Sequence, residues 1–230
     1  MNPLDLLLIP VAYLIGSLSG AIRFGKLFYG VDVRNYGSKN PGANNVQRVL
    51  GWKLALFVFF FDTLKGVAAA SLAFLTEFNP GTNPFTGAQI VLGLSAVLGH
   101  IFPIFHQFKG GKGVATITGL LWAIHPLAVL ICFSIFTLCF ILTRYISLSA
   151  IVAISCFPFF ANSLFAWLQP QMTLTLKIFS IVIALVIWLT HISNIKRLIN
   201  RKEEKFKLRR PRSRQELEDE SICTNSQLQA

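Results

Sequence analysis

Charge is scarce in this 230-residue chain. Asp, Glu, Lys and Arg make up 13% of it, about half the share of an ordinary soluble domain. Acid is scarcer still, with 10 Asp and Glu against 21 Lys and Arg. So little charge excludes a solvated surface over most of the chain. Cysteine is also sparse. Cys132, Cys139, Cys156 and Cys223 show no metal-ligand spacing, and three of them lie in apolar runs, where a thiol behaves as a small hydrophobe. Neither a zinc site nor a disulfide is expected. Internal repeats and low-complexity segments are absent, which removes the paired halves on which many secondary transporters are built. The first apolar stretch, Leu6 to Ile22, is not expected to be a signal peptide, because Arg23 and Lys26 follow it and no small-residue cleavage site stands out. That stretch reads as a retained span with its N-terminus outside.

What the chain has instead is apolar length. Hydrophobic residues are 53% of it and 21 are Phe, with a mean hydropathy of +0.59. Long runs of this kind suit helices that satisfy their own backbone inside hydrocarbon. Spans are expected at 4–24, 53–76, 86–105, 113–125, 127–143, 147–167 and 173–193. Between Gly113 and Thr143 the strong breaker is His125-Pro126, so two short, tilted helices are favoured there over one long one. Charge supports this number. Arg23, Lys26, Arg34, Lys39, Arg48 and Lys53 fall after the first span, Lys109 and Lys112 in the third loop and Arg144 in the fifth. The alternate loops 77–85, 125–126 and 168–172 contain neither Lys nor Arg. With seven spans every basic loop lies on one side, the cytoplasmic one by the positive-inside rule. The expected fold is therefore all-α: a polytopic integral membrane protein of seven transmembrane helices, N-terminus outside and C-terminus cytoplasmic. Residues 1–205 form one transmembrane domain and 206–230 a polar tail. The stretch Glu216 to Ala230, with its acidic cluster, reads as disordered. The net charge of +11 could suggest nucleic acid, but the run Lys196 to Arg214 directly follows the last apolar stretch and suits anionic lipid instead.

Polar motifs gather at the same face. The first loop, Arg34 to Arg48, mixes turn formers (Gly37, Pro41, Gly42) with neutral donors (Ser38, Asn40, Asn44, Asn45) and with Lys39 and Arg48. Amides read hydroxyls and Arg pairs bidentately with phosphate, so the mixture suits a small polyol phosphate. In the third loop, Lys109-Gly110-Gly111-Lys112-Gly113 precedes an apolar helix expected near Val114. A glycine-rich turn at a helix N-terminus offers N–H donors and the positive dipole end to an anion, and Lys112 adds a point charge. The spacing is not that of a Walker A loop. His191 and Asn194, three residues apart, are expected on one helix face, followed by Arg197 and then Glu203. Asp62 and Lys65 lie inside the second span and read as a buried pair supporting the site. His106 and His125 are read as structural or interfacial.

At these residues the chain resembles the PlsY family of bacterial acyl-phosphate:glycerol-3-phosphate acyltransferases. The resemblance runs from the first span to about Lys205. It includes Gly16-Ser17, Gly37-Ser38, Asn40 to Ala43, Asn45 and Arg48, then Phe61-Asp62 with Leu64-Lys65-Gly66, and Gly99-His100-Ile101. Lys109 to Thr116, Ser147-Leu148, His191, Asn194-Ile195, Arg197-Leu198 and Glu203 complete it. It implies seven transmembrane helices and transfer of an acyl group from acyl phosphate to the sn-1 hydroxyl of glycerol 3-phosphate. The products would be lysophosphatidic acid and phosphate, in phospholipid biosynthesis at the bacterial inner membrane. Three positions depart from the family pattern. Lys39 stands where Gly is usual and resists the backbone angles Gly would accept, Asn44 replaces Thr, and Gln47 replaces an apolar residue.

Acyl phosphate is already activated, so the reaction needs phosphate cradles, alignment and charge stabilisation more than a covalent nucleophile. Gly110, Gly111, Lys112 and Gly113 are assigned to the acyl phosphate, and Ser38, Arg48, Lys112 and Asn194 to glycerol 3-phosphate, with Asn40, Asn45 and Lys109 as further binding residues. Ser38, Lys112 and His191 are the catalytic candidates. His191 is the best side-chain base or hydroxyl orienter; alternatively a donor phosphate oxygen takes the proton. Asp62, Lys65, His100, Ser147 and Glu203 support. The chemistry requires no metal or cofactor. The acyl chain would lie between spans in the lipid bilayer. A competing reading is a transporter for an organic phosphate; another is a scaffold whose basic tail recruits partners.

Overall fold

The structure is a computed structural model that describes residues 3–164, 174–208 and 215–217. All regular structure among the described residues is helical. Helices α1 (Pro3–Gly16) and α2 (Gly20–Tyr29) form the first candidate span, interrupted at Ser17 to Ser19. Short α3 (Ala43–Leu50) leads into α4 (Trp52–Ser71). Then come α5 (Asn83–Ile101), α6 (Val114–Ile124), α7 (Pro126–Thr143) and α8 (Ile146–Phe159), which closes with a π turn at Phe160–Leu164. The last two helices are α9 (Leu174–Thr190) and α10 (Ile192–Ile199), bent by 58° at His191.

Local chemistry sets several boundaries. Thr82 caps α5 by accepting a hydrogen bond from Phe85 N, with Pro84 in its first turn. His125 does the same for α7, Nδ1 accepting from Ala128 N, with Pro126 opening the helix. His125-Pro126 therefore breaks the chain as expected, and His125 has the structural role foreseen for it.

Small residues bring the helices together, as helix pairing in lipid requires. A Cβ on Gly66 of α4 would collide with Thr116 O of α6, and one on Gly119 of α6 with Thr63 O of α4. Gly16 and Gly99 let α1 and α5 approach in the same way. The largest apolar cluster joins Val97, Ile117, Leu120, Phe157, Phe179 and Ile183. Outward faces stay apolar and exposed, as at Leu142, Leu138 and Leu189, which fits lipid contact.

Among the described residues five helical stretches are long and apolar enough to cross a membrane, and six if the bent α9–α10 pair counts as one. The protein is thus a multi-pass membrane protein. The expected fourth span is short. α6 has 11 residues, a rise of about 16 Å against hydrocarbon about 30 Å thick. The cause lies before it: the glycine loop folds back over the end of α5, and a Cβ on Gly113 would stand 3.0 Å from Val97 Cγ1. α6 therefore starts beside the last turns of α5 rather than beyond them. The tail read as disordered lies largely outside the described residues. Within it, residues 215–217 make a helical turn whose Leu217 is buried with Val46, Val49 and Leu50.

Candidate active site

Asp32 organises the first loop. It is the sole acidic residue between Asp5 and Asp62 and caps a 3-10 turn, Val33–Asn35. Its carboxylate meets Arg34 Nη2 at 2.6 Å, Arg34 Nε at 3.0 Å and Lys26 Nζ at 3.3 Å. Hydrogen bonds from Arg34 hold that carboxyl well below the usual carboxylate range, against the opposing effect of burial. Arg34 Nη1 then donates to His106 O at 3.1 Å, tying the first loop to the third. Sequence reasoning missed this clamp; a lone acid among many bases was the available signal.

Asn45, expected to touch substrate, is buried and works on its own loop. Its amide donates to Val33 O (2.8 Å) and Tyr36 O (3.1 Å), and its oxygen accepts from Ser38 N (2.8 Å). It shapes the turn Gly37–Ser38 from beneath. Ser38 is exposed on that turn, Asn40 half-buried beside it, and Lys109 exposed on the third loop. Lys39 sits at φ +58°, so the turn a Gly would take freely is kept by a residue that disfavours it. Left-handed backbone costs a non-Gly residue roughly 1–2 kcal/mol, and Gly gives back roughly half of that through unfolded-chain entropy. Lys39→Gly should therefore raise unfolding free energy by about 0.5–1 kcal/mol, read as a higher melting temperature in detergent.

The glycine loop departs from expectation in one respect. Gly110 N donates to Ile101 O (3.0 Å) and Gly111 N to His100 O (3.1 Å). Both satisfy carbonyls at the end of α5 that have no intrahelical partner, so neither N–H is available to an anion. Gly111 is also wedged, since a Cβ there would meet His100 Nε2 and stand 2.8 Å from Pro41 O of the first loop. Lys112 and the N-terminus of α6, where Gly113 adopts φ +78°, together form a setting that suits an anion.

Behind the loop stands a buried polar cluster. Lys65 Nζ lies 2.8 Å from Asp62 Oδ1, 2.8 Å from Leu18 O and 2.8 Å from His100 Nδ1. An ammonium has no lone pair, so His100 accepts at Nδ1 and carries its hydrogen on Nε2, the atom against Gly111. The expected Asp62–Lys65 pair thus connects α4 to α5, and through His100 to the glycine loop.

In front of the loop Lys112 reaches the bent end of the bundle. Its Nζ donates to Asn194 Oδ1 (3.2 Å) and Thr190 O (3.3 Å). Burial, with Arg197 and Arg48 adding repulsion against the pull of Glu203, lowers the Lys112 pKa from its ordinary 10.5. Asn194 Nδ2 donates to Glu203 Oε1 (3.0 Å), which also accepts from Ser147 Oγ (2.8 Å), while Arg197 Nε meets Oε2 at 2.6 Å. Burial would raise the Glu203 pKa, but hydrogen bonds from Arg197, Asn194 and Ser147 outweigh it and hold the carboxyl below its usual range. His191 occupies the N-cap position of α10 at the bend, without a side-chain capping bond, rather than sharing a continuous helix face with Asn194. Its Nδ1 lies 2.9 Å from Ile187 O. A carbonyl only accepts, so Nδ1 is protonated and Nε2 is the ring's basic nitrogen.

Arg48 completes the cluster from α3, beside a pocket whose lining includes Asn44, Gln47, Ser147 and Glu203. The first loop, the glycine loop, the start of α8 and the end of α10 thus converge at one end of the bundle. Residues 6–201 match the profile of the family described as Glycerol-3-phosphate acyltransferase. The chain belongs to that family. Among its relatives, a Glycerol-3-phosphate acyltransferase of Chlorobium phaeobacteroides (strain BS1) is 36% identical, the match covering 88% of this chain and 96% of the relative. Glycerol-3-phosphate acyltransferase 2 of Bacillus anthracis is 42% identical, over 90% and 100%. Two crystal structures of PlsY, an integral membrane glycerol 3-phosphate acyltransferase, superpose on the fold. The glycerol 3-phosphate form gives a TM-score of 0.75 at 37% identity, covering 88% of this chain and 96% of that one. The lysophosphatidic acid form gives 0.71 at 38%, covering 89% and 96%. As a glycerol-3-phosphate acyltransferase, the chain is a membrane enzyme of phospholipid biosynthesis rather than a transporter or a scaffold.

Proposed function

We propose that this acyltransferase takes its acyl group from acyl phosphate and places it on the sn-1 hydroxyl of glycerol 3-phosphate. The hydroxyl oxygen attacks the acyl carbonyl carbon, the bond from carbonyl carbon to phosphate oxygen breaks, and the hydroxyl proton leaves with the products. Lysophosphatidic acid and inorganic phosphate result. The observation that carries this reading is the ladder Lys112–Asn194–Glu203 standing between the N-terminus of α6 and Arg48. It provides two cationic positions for two phosphates and a fixed polar floor between them.

In this reading Lys112 and the first turn of α6 hold the donor phosphate. Arg48, Ser38, Asn40 and Asn194 hold glycerol 3-phosphate, and Lys109 attracts anions from the rim. Glu203, pinned by Ser147 and Arg197, keeps the Asn194 amide turned so that its oxygen faces Lys112. His191 Nε2 orients or deprotonates the hydroxyl; a donor phosphate oxygen is the other acceptor. Asp62, Lys65 and His100 set the height of the glycine loop, and Gly110, Gly111 and Gly113 act through its backbone. The same reading takes α6 as a seventh, partial crossing, with the N-terminus outside and residues 206–230 in the cytoplasm. The site then faces the cytoplasm of a bacterial inner membrane. Support for this orientation comes from the basic loops Arg23 to Lys53, Lys109–Lys112 and Arg144, all at the site end.

Purified enzyme given acyl phosphate and glycerol 3-phosphate should release phosphate and lysophosphatidic acid in equal amounts. Turnover with an acyl thioester but none with acyl phosphate would overturn the donor assignment.

A further inference from the structure

After α10 the chain turns back across the site. Lys202 N and Glu203 N both donate to Arg197 O, at 2.7 and 3.1 Å, and close the helix end. Of the next four residues, the outer two are fastened to α3 and the inner two to the junction of α7 and α8. Glu204 Oε2 lies 3.8 Å from Arg48 Nε of α3. The Lys205 ammonium stands 5.6 Å from the ring of Tyr145. Phe206 N donates to Arg144 O at 2.7 Å, and its ring meets the Phe140 ring edge-on at 5.2 Å. Lys207 O accepts from Gln47 Nε2 at 2.6 Å, a bond between residues 160 positions apart. All four residues line the pocket that Arg48 and Ser147 enter. They lie beyond residue 201, where the family match ends, and their anchor Gln47 stands where the family pattern is apolar.

Gln47 is buried, and its amide Nε2 donates to the strap's backbone. Glu204 is different, with 58% of its side chain exposed. A half-solvated carboxylate 3.8 Å from a guanidinium makes a weak pair. A phosphate dianion, able to engage the same guanidinium through two oxygens, makes a stronger one. Resting on the reading that Arg48 receives substrate phosphate, we propose that residues 204–207 are a strap over the phosphate pocket and that Glu204 is its latch. The Glu204 carboxylate holds Arg48 until a substrate phosphate displaces it. An uncharged polyol cannot displace it, so the latch favours phosphorylated acceptors.

The test uses the full-length protein in detergent. Glu204→Gln keeps the side-chain shape and removes the competing charge. KM for glycerol 3-phosphate should fall by about two- to five-fold, the range expected for an exposed ion pair, with the effect in KM rather than kcat. Inorganic phosphate should bind more tightly by a similar factor in calorimetry. Gln47→Leu, which releases Lys207 O, should shift KM the same way and speed tryptic cleavage after Lys205 and Lys207. Unchanged or weakened phosphate affinity in Glu204→Gln overturns the latch. A protein that fails to acylate glycerol 3-phosphate, yet binds phosphate more tightly as Glu204→Gln, keeps the latch and loses the functional reading.

Discussion

Lys112→Ala is expected to lower kcat/KM by about 10²–10³-fold, the usual loss when one preorganised charge-stabilising donor is removed, while leaving the protein folded. Lys112 is half-buried and its bonds to Asn194 Oδ1 and Thr190 O leave no cavity in an apolar cluster when they go. The charge at the N-terminus of α6 disappears with them. Lys112→Arg should retain part of the activity and carries a second signature. Burial beside Arg197 and Arg48 has lowered the Lys112 pKa from 10.5, so the charged form exists only below that lowered value. Wild-type kcat/KM should therefore fall as pH rises through a value below 10.5, and Lys112→Arg should move that alkaline limb upward, because a guanidinium stays protonated. Near-normal turnover in Lys112→Ala, or an alkaline limb that does not move, would remove the loop from the chemistry.

Asp62→Ala should cost stability rather than rate alone. Asp62 and Lys65 side chains are 2% and 3% exposed, and removing one partner of a buried pair costs roughly 3–5 kcal/mol because the other charge is left unmatched. The stranded Lys65 would also lose the geometry that holds His100 at 2.8 Å, and His100 is what Gly111 rests against. Thermal unfolding in detergent should show a large fall in melting temperature, with partial recovery when Lys65→Met is added to remove the stranded charge. An unaffected melting temperature would mean that the pair does not hold α4 and the glycine loop together.

Much of this site was legible because its chemistry is local. A Gly-Gly-Lys-Gly run before an apolar stretch announces a helix N-terminus at Val114, and a charge pair three residues apart in an apolar run announces burial. The same reading overestimated what Gly110 and Gly111 donate. Their N–H groups are taken by the end of α5, and only the path of the turn Ile104–His106 decides that. Asn45 was counted as a ligand because its side chain could reach a polyol; its bonds to Val33, Tyr36 and Ser38 depend on how the whole stretch from Val33 onward curls around it. The short α6 was legible from the breaker His125-Pro126 and the glycine run before Val114, but hydropathy marks where a chain is apolar and not how deep in the bundle it starts. Contacts across the whole chain, such as Gln47 to Lys207, leave no local trace. Glu203 was legible as a partner of the His191–Asn194 segment, but its bond to Ser147 56 residues away was not.

In the proposed mechanism phosphate chemistry is confined to the end of the bundle where Arg48, Lys112 and Glu203 meet, on the cytoplasmic face. Sealed membrane vesicles of both orientations, given glycerol 3-phosphate that cannot cross the bilayer, test this directly. Lysophosphatidic acid should form in inside-out vesicles and in right-side-out vesicles only after permeabilisation. Equal synthesis by intact right-side-out vesicles would contradict it.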